Sequence, residues 1–175
     1  MSMLHIMLCA VIGYFMGCFS TGIILGDMAK IDIRKYGSKS TGTTNVIRVM
    51  GFKMGLMTFI GDFIKAVIAV LLGMMIDGRD GGLIAGLFSV IGHNWPVFYG
   101  FKGGKGIACS TAVLLLNVPL EGAISAAIAI SVIYLSRYVS LGSLSLLFSA
   151  AVILPFTRGL WPVGAWALLL FIFAV

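Results

Sequence analysis

Residues Met54–Ile76 read MGLMTFIGDFIKAVIAVLLGMMI, a stretch in which Asp62 and Lys65 are the only charged residues. A helix needs about 20 mostly apolar residues to cross a membrane, and this stretch meets that length. Six further apolar stretches flank it along the chain: Met3–Gly26, Gly82–Tyr99, Ile107–Pro119, Gly122–Ser136, Ser140–Pro155 and Leu160–Val175. The sequence therefore predicts an all-α, polytopic transmembrane helical bundle of about seven spans.

The composition excludes an ordinary water-soluble domain. Of the 175 residues 60% are hydrophobic and 10% are charged, whereas soluble domains carry about 25% charged residues. The 23 glycines suit close packing of helices in a bilayer. The three cysteines have neither CxxC spacing nor a nearby histidine cluster, so they predict no metal site and no disulfide. We expect one integral-membrane domain over residues 1–175, with membrane lipid around it and no nucleic acid as partner.

The basic residues predict the orientation of the bundle. Most of the twelve Lys and Arg residues lie in the first, third and fifth connections between spans. Basic loops stay on the cytoplasmic side, so these connections face the cytoplasm and the N-terminus lies outside. The prediction is a multi-pass protein of a bacterial inner membrane. The basic residues of the three connections are Lys30, Arg34, Lys35, Lys39, Arg48, Lys53, Lys102, Lys105 and Arg137.

The first of these loops, Gly37–Arg48, reads GSKSTGTTNVIR. Hydroxyl groups and backbone N–H groups donate to phosphate oxygens, and Arg48 can bind two such oxygens in a planar fork. A helix that begins near Thr43 would add the partial positive charge of its N-terminus. The alternative is a solvated polar loop whose charge only fixes the topology.

The third connection contains Gly92–Ala108, GHNWPVFYGFKGGKGIA. Its Gly-Gly-Lys-Gly run lets the backbone wrap an anion while Lys105 supplies a charge. A Walker A loop is excluded, because Tyr99 stands where its first glycine belongs and Gly106 where Ser or Thr belongs. The alternative is a flexible turn, and His93 either positions a substrate or simply packs.

The fifth connection, Ser136–Ser143, reads SRYVSLGS and combines one cation with three serines. A charge that fixes topology, beside serines that pack helices, would produce the same pattern. Three such loops on one side of the membrane could nevertheless converge on a single anionic ligand.

Asp62 and Lys65 lie three residues apart and share one face of the second span. Charges at that depth are costly, so they are paired or functional. We predict a buried ion pair that fastens helices near the site rather than direct catalysis. His5, in the first span, has no partner apparent from the sequence and is assigned no role.

Three motifs carry a family resemblance over essentially the whole chain. They are GS…G-x-T-N-x-x-R within Gly37–Arg48, G-H-x-x-P…F-x-G-G-K-G-x-A within Gly92–Ala108, and R-x-x-S-x-x-S within Arg137–Ser143. The chain resembles the PlsY family, the bacterial membrane glycerol-3-phosphate acyltransferases that use acyl-phosphate donors. The resemblance implies transfer of a fatty acyl group to the sn-1 hydroxyl of glycerol 3-phosphate, giving lysophosphatidic acid and phosphate in the first step of phospholipid biosynthesis. It implies no cofactor and no metal, and a possible partner in the enzyme that forms the acyl phosphate.

The resemblance also implies roles for individual residues. Ser38, Arg48 and Lys105 correspond to catalytic positions. The residues expected to bind substrate are Thr44, Asn45, His93, Gly103, Gly104, Gly106, Arg137, Ser140 and Ser143. The chain departs from the family pattern at Lys39 and Ser40, where Gly-Asn is usual, and at Thr43, where Ala is usual. Members typically continue into a basic tail with His, Asn and Glu, so we expect that a C-terminal tail is missing here.

Two other functions compete with this interpretation. A transporter or flippase for a phosphate-bearing lipid or metabolite would have ionisable residues along a path and repeat symmetry between its halves. Only Asp62 and Lys65 fit the first condition, and the sequence has no visible repeat. A non-catalytic membrane scaffold would not need three phosphate-competent loops. No general base is evident, because the HxxxxD arrangement is missing; the resemblance suggests that substrate phosphate takes the proton.

Overall fold

A computed structural model describes residues 1–159 and 163–174. Those residues form eight α-helices and no strand, which confirms the all-α prediction. Short 3-10 turns cover Ile33–Lys35 and Val97–Tyr99. The helices are α1 (Met3–Cys18), α2 (Thr21–Met28), α3 (Thr43–Met50), α4 (Phe52–Asn94), α5 (Ile107–Asn117), α6 (Pro119–Ser136), α7 (Val139–Arg158) and α8 (Ala165–Ala174).

Helix α4 is too long to cross a bilayer once. Its 43 residues would extend for about 65 Å at 1.5 Å per residue, roughly twice the hydrocarbon thickness. Asp77 and Gly78 have non-helical backbone angles and divide α4 into two arms, residues 52–76 and 79–94. The kink falls between the second and third apolar stretches of the sequence.

Four helical segments of the described chain are long and apolar enough to span a membrane, as the predicted transmembrane bundle requires. The number of spans, seven, and the outside position of the N-terminus stay predictions. The four segments are Met3–Met28, Phe52–Tyr99, Pro119–Ser136 and Val139–Arg158.

Glycines allow α1 to approach the second arm of α4 until their backbones touch. A Cβ added at Gly13 would overlap the carbonyl oxygen of Ala85, and one at Gly17 would overlap that of Ser89. On the other side of the interface, a Cβ at Gly92 would overlap the carbonyl oxygen of Tyr14. Small residues serve this purpose in membrane bundles, where close contact between helices replaces the hydrophobic effect.

The interior is apolar, and so is much of the outer surface. The core brings together α4, α5, α7 and α8 through buried side chains such as Val70, Val113, Leu147 and Leu170. Large aliphatic and aromatic side chains also cover the outer faces of the long helices, where lipid would surround them. Cys9, Cys18 and Cys109 are buried and free, as expected of packing residues.

Two polar side-chain contacts lie at the end of the bundle where α1 and α6 begin, and the first is an ion pair. Arg158 Nε donates to Glu121 Oε1 at 2.6 Å. His5 Nδ1 lies 3.1 Å from Asp77 Oδ2, beside the kink in α4. The expectation that His5 has no partner was wrong, because the kink that turns α4 back brings Asp77 to the start of α1.

Candidate active site

The three basic loops meet at the other end of the bundle around a cavity of about 410 Å³. All three contribute to its wall, as the sequence predicted for loops that face one compartment. Their lining residues are Ser38, Ser40, Gly42, Thr43, Thr44, Asn45 and Arg48 from the first loop, Lys105 and Gly106 from the third, and Val139, Ser140, Gly142 and Ser143 from the fifth.

Asn45 organises the first loop. Its side-chain N–H groups donate to the carbonyl oxygens of Ile33, Tyr36 and Ser40 at 3.1, 3.2 and 2.8 Å. Its Oδ1 accepts from the backbone N–H of Ser38 at 2.8 Å. Asn45 is 1% exposed, and both the oxygen and the nitrogen of its side-chain amide are hydrogen-bonded within the loop. Asn45 therefore holds Ser38 at the mouth of the cavity, and substrate binding by Asn45 itself stays a prediction.

Three helices begin at the cavity wall. Helices α3, α5 and α7 start at Thr43, Ile107 and Val139, and all three residues line the cavity. None of the three N-termini has a side-chain cap. The first N–H groups of a helix have no partner within the helix and carry partial positive charge, which makes a helix N-terminus a binding site for anions. The sequence analysis considered a helix that begins near Thr43, and α3 does begin there.

Two cations add full charges to this wall. Arg48 and Lys105 line the cavity, and neither forms a salt bridge within the described part of the chain. Arg34 is different, because its Nε lies 3.0 Å from Asp32 Oδ1. The hydrogen bond from Arg34 holds the pKa of the Asp32 carboxyl below its usual value. Arg48 and Lys105 are thus the cations available to an anionic ligand.

The glycine-rich loop packs against the end of α4. The backbone N–H groups of Gly103 and Gly104 donate to the carbonyl oxygens of Asn94 and His93, each at 3.1 Å. A Cβ at Gly104 would overlap Nε2 of the His93 ring. The N–H of Thr41 donates to the carbonyl oxygen of Gly103 at 3.3 Å and joins the first loop to the third. These bonds fix the position of Lys105, the next residue.

Gly106 shows why glycine ends this loop. Its φ of +70° lies in the left-handed region that favours glycine. This conformation turns the chain into α5, so that the N-terminus of the helix reaches the cavity.

Asp62, Lys65 and His93 form a buried cluster beside the cavity. Lys65 Nζ lies 3.0 Å from Asp62 Oδ1 and 2.9 Å from His93 Nδ1. It also donates to the carbonyl oxygens of Gly17, at 2.9 Å, and of Phe19, which lies in the short connection between α1 and α2. The predicted ion pair between Asp62 and Lys65 is confirmed. Asp62 and His93 also line the cavity.

The inner part of the cavity is apolar. Its wall comes from α4, α5, α6 and α7, and the residues on α6 recur at helical spacing. The sequence analysis did not select these residues, because an apolar stripe on a spanning helix is the same whether it faces lipid, a neighbour or a ligand. They are Phe59, Ile107, Ala108, Ala126, Ala129, Ile130, Ile133, Leu144 and Leu146.

Most of the predicted site residues lie on the cavity wall. These are Ser38, Thr44, Asn45, Arg48, His93, Lys105, Gly106, Ser140 and Ser143. Gly103, Gly104 and Arg137 are not among its lining residues. The two glycines shape the loop, and the Arg137 guanidinium lies 5.8 Å from the centre of the Tyr134 ring. Ser143 Oγ donates to the carbonyl oxygen of Val139 at 2.9 Å. The catalytic and binding roles of these residues stay predictions.

Comparison with known proteins gives one consistent answer. The sequence profile of the glycerol-3-phosphate acyltransferase family matches residues 7–175. A glycerol-3-phosphate acyltransferase of Thermoanaerobacter pseudethanolicus is 49% identical over 143 residues, which are 81% of this chain and 72% of that protein. The Bacillus subtilis protein of the same name is 39% identical over 140 residues, 79% of this chain and 72% of that one.

Two crystal structures of PlsY, an integral membrane glycerol 3-phosphate acyltransferase, have the same fold. The glycerol 3-phosphate form matches with a TM-score of 0.90 and 32% identity, over 97% of this chain and 86% of that one. The lysophosphatidic acid form matches with a TM-score of 0.86 and 31% identity, over 97% and 85%. These likenesses do not support the transporter or flippase alternative.

Proposed function

The chain belongs to the glycerol-3-phosphate acyltransferase family and is a membrane acyltransferase, and we propose that it takes its acyl group from an acyl phosphate. The observation that carries the proposal is the two-part cavity. One part is lined by three helix N-termini without side-chain caps and by Arg48 and Lys105, and the other part is lined by apolar side chains. An acyl phosphate has the matching division between an anionic group and a hydrocarbon chain.

The polar part has enough donors for two phosphate groups. Arg48 lies in the last turn of α3 and lines the same cavity as Thr43, where that helix begins. Lys105 directly precedes Gly106 at the N-terminus of α5. Glycerol 3-phosphate would bind at Arg48 and the N-terminus of α3, and the phosphate of the donor would bind at Lys105 and the N-terminus of α5. Two anions held side by side would present the sn-1 hydroxyl to the acyl carbon, which converts an encounter in solution into a local reaction.

The acyl chain would lie between α4, α5, α6 and α7. Burial of apolar surface stabilises by about 0.8 kcal/mol per CH₂ group, so a long chain contributes substantially to binding. Ile130 lines the cavity and is 67% exposed on the outer face of the bundle. A lipid-borne substrate could therefore enter from the bilayer, while glycerol 3-phosphate enters from the aqueous side.

The reaction needs little covalent chemistry from the protein, because an acyl phosphate is an activated mixed anhydride. The sn-1 oxygen would attack the acyl carbon, and the bond from that carbon to the phosphate oxygen would break with its electron pair leaving on phosphate. The hydroxyl proton would pass to that phosphate. Arg48, Lys105 and the backbone N–H groups at the helix N-termini would stabilise the charge that develops on the departing group.

The same proposal includes the setting of the enzyme. The positive-inside pattern supports an inner-membrane protein of a bacterial cell with the cavity open to the cytoplasm. Acyl phosphates hydrolyse readily, so an enzyme that forms them must supply this one.

The donor is tested with the purified full chain in lipid nanodiscs. Radiolabelled glycerol 3-phosphate is offered with palmitoyl phosphate or with palmitoyl-CoA in phosphate-free buffer, with and without a metal chelator. We expect lysophosphatidic acid and an equal amount of inorganic phosphate from palmitoyl phosphate, with no effect of the chelator. Robust product from palmitoyl-CoA alone would contradict the proposal.

A further inference from the structure

The ammonium group of Lys65 lies in a buried site that the proposed reaction does not use. Lys65 is 6% exposed, Asp62 1% and His93 4%. Around Lys65 Nζ are the carbonyl oxygens of Gly17 and Phe19 and the Oδ1 of Asp62. These oxygens can only accept hydrogen bonds, so Lys65 serves as donor to all of them and carries its full complement of hydrogens.

The position of His93 relative to this ammonium determines which ring nitrogen carries a hydrogen. His93 Nδ1 lies 2.9 Å from Lys65 Nζ. An ammonium has three donors and no lone pair, and four acceptors surround it, so one of its hydrogens is shared between Nδ1 and a neighbouring oxygen. Nδ1 is an acceptor in this arrangement, because an N–H there would point at a like charge. Asp62 Oδ1 is 3.7 Å from Nδ1, beyond hydrogen-bond range. The hydrogen of the neutral imidazole is therefore on Nε2.

The Nε2 edge of the ring faces the glycine-rich loop. It lies over Gly104, where a Cβ would overlap it. Within the described residues, no hydrogen bond of the chain uses this nitrogen, whereas Nδ1 is paired. Since His93 lines the cavity together with Lys105 and Gly106, its N–H is a donor without a protein acceptor beside a cation and a helix N-terminus. A ligand atom in the cavity is therefore in a position to accept from it.

We propose that Lys65 is a positioning residue that fixes His93 in the Nε2–H tautomer, so that His93 donates a hydrogen bond to a phosphate oxygen of the ligand bound beside Lys105. The proposal rests on the acyl-phosphate site described above only for the identity of that ligand. The tautomer itself follows from contacts within the protein. Asp62 balances the charge of Lys65 and keeps the ammonium in place at 3.0 Å.

The direct test is the nitrogen NMR spectrum of the imidazole. The chain has two histidines, and His5 lies at the opposite end of the bundle beside Asp77, so His5→Gln leaves one ring to observe. The full chain with this change is labelled with ¹⁵N-histidine and placed in lipid nanodiscs. We expect a protonated Nε2 and a bare Nδ1, and we expect inorganic phosphate to shift the Nε2–H signals. A hydrogen on Nδ1, or Nε2 signals that do not respond to saturating phosphate, would overturn the proposal.

The second test separates a donor at Nε2 from a ring that only fills space. In His93→Gln the side-chain amide can place an N–H near the position of Nε2, whereas in His93→Asn it reaches only the position of Nδ1. We expect the kcat/KM of His93→Gln to exceed that of His93→Asn by about tenfold or more, because a hydrogen bond to a charged group contributes at least that factor. Equal activities of the two variants, with both folded, would contradict a donor at Nε2.

Lys65→Met tests the role of the ammonium. Without Lys65, the ring is free to place its hydrogen on Nδ1 facing Asp62, so we expect the tautomer to change in the NMR spectrum. An unchanged Nε2–H tautomer in a folded Lys65→Met protein would show that Lys65 is only structural. If that variant does not fold, the spectrum of the His5→Gln protein and the comparison of His93→Gln with His93→Asn still test the proposed Nε2–H donor.

Failure of this inference can be told apart from failure of the proposed donor. If acyl phosphate is not the donor, the His5→Gln protein with an intact site fails in the donor assay, and its imidazole spectrum is unaffected. If the inference is wrong, the donor assay succeeds and the imidazole spectrum shows the other tautomer.

Discussion

At the scale of single residues, Ser38 and Arg48 stand at the polar mouth of the cavity, and the first prediction concerns them. Ser38→Ala and Arg48→Ala should each lower kcat/KM by about 100-fold or more, the usual effect of removing a donor that faces developing charge. Both side chains are exposed, so we expect normal insertion. The measurement is acyl transfer by purified variants, with size-exclusion profiles in detergent to confirm folding.

Matched controls exist for both changes. Lys53 is an exposed cation that does not line the cavity, and Ser131 donates to the carbonyl oxygen of Ala127 on the outer face of α6. Lys53→Ala and Ser131→Ala should keep normal turnover. Near-normal turnover of Ser38→Ala would remove Ser38 from the site.

The second prediction concerns Gly104. The sequence suggested that this glycine lets the backbone approach a phosphate, and the structure adds that it makes room for the His93 ring. Gly104→Ala should raise the KM for the donor with a smaller change in kcat, because the added methyl group displaces the ring and shifts Lys105.

A double-mutant cycle distinguishes the two reasons. If the methyl group acts by displacing His93, then Gly104→Ala should do little further harm in a His93→Ala background, and the two effects should be clearly non-additive. Full additivity would mean that the methyl group obstructs the ligand directly.

At the scale of helices, α6 supplies much of the apolar wall, and its inner end should limit the length of the acyl chain. Ala126 lies two turns along α6 from Ile133, about 10 Å farther from the loops. Ala126→Phe should therefore lower kcat/KM for palmitoyl phosphate much more than for octanoyl phosphate. Ala127 is exposed outside the cavity, so Ala127→Phe serves as the control. An unchanged ratio between the two donors in Ala126→Phe would show that the chain does not reach this depth.

The elements of this fold could be predicted well where a simple physical rule applies. Long apolar stretches predicted the helices. The cost of burying a charge within a span predicted the ion pair between Asp62 and Lys65. The three loops were selected because phosphate requires hydroxyl groups, cations and free N–H groups, and residues of all three line one cavity. The partner of His5 was missed, since Asp77 is 72 residues away and approaches only through the kink in α4.

The apolar wall of the site could not be predicted for a different reason. Ala126, Ala129, Ile130 and Ile133 have no property that separates them from lipid-facing neighbours, and only the packing of α6 against α5 and α7 encloses them. The role of Asn45 within its own loop was also hidden, because hydrogen bonds to Ile33, Tyr36 and Ser40 depend on backbone geometry. Side-chain chemistry alone suggested a ligand contact.

At the scale of the whole molecule, the orientation in the membrane is the prediction to test. Cys9, Cys18 and Cys109 are fully buried, so we expect the native cysteines to react little with a maleimide and labelling to report on the introduced cysteine. In intact cells, a membrane-impermeant maleimide should label Arg79→Cys and leave Lys53→Cys unlabelled until the cells are opened. The reverse pattern would place the loops of the active site outside, contrary to the positive-inside rule.

The direct contact between α1 and α4 has a consequence for how this chain tolerates change. Gly13, Gly17 and Gly92 each lie against a carbonyl oxygen of the opposite helix, so even one methyl group would force the backbones apart. Bulky outward-facing residues such as Phe156, at 87% exposure, have little contact with the rest of the chain, so we expect that other apolar residues can replace them. In a saturation mutagenesis library, the smallest side chains should thus be the least replaceable and many of the largest the most freely varied, the inverse of what a water-soluble protein displays.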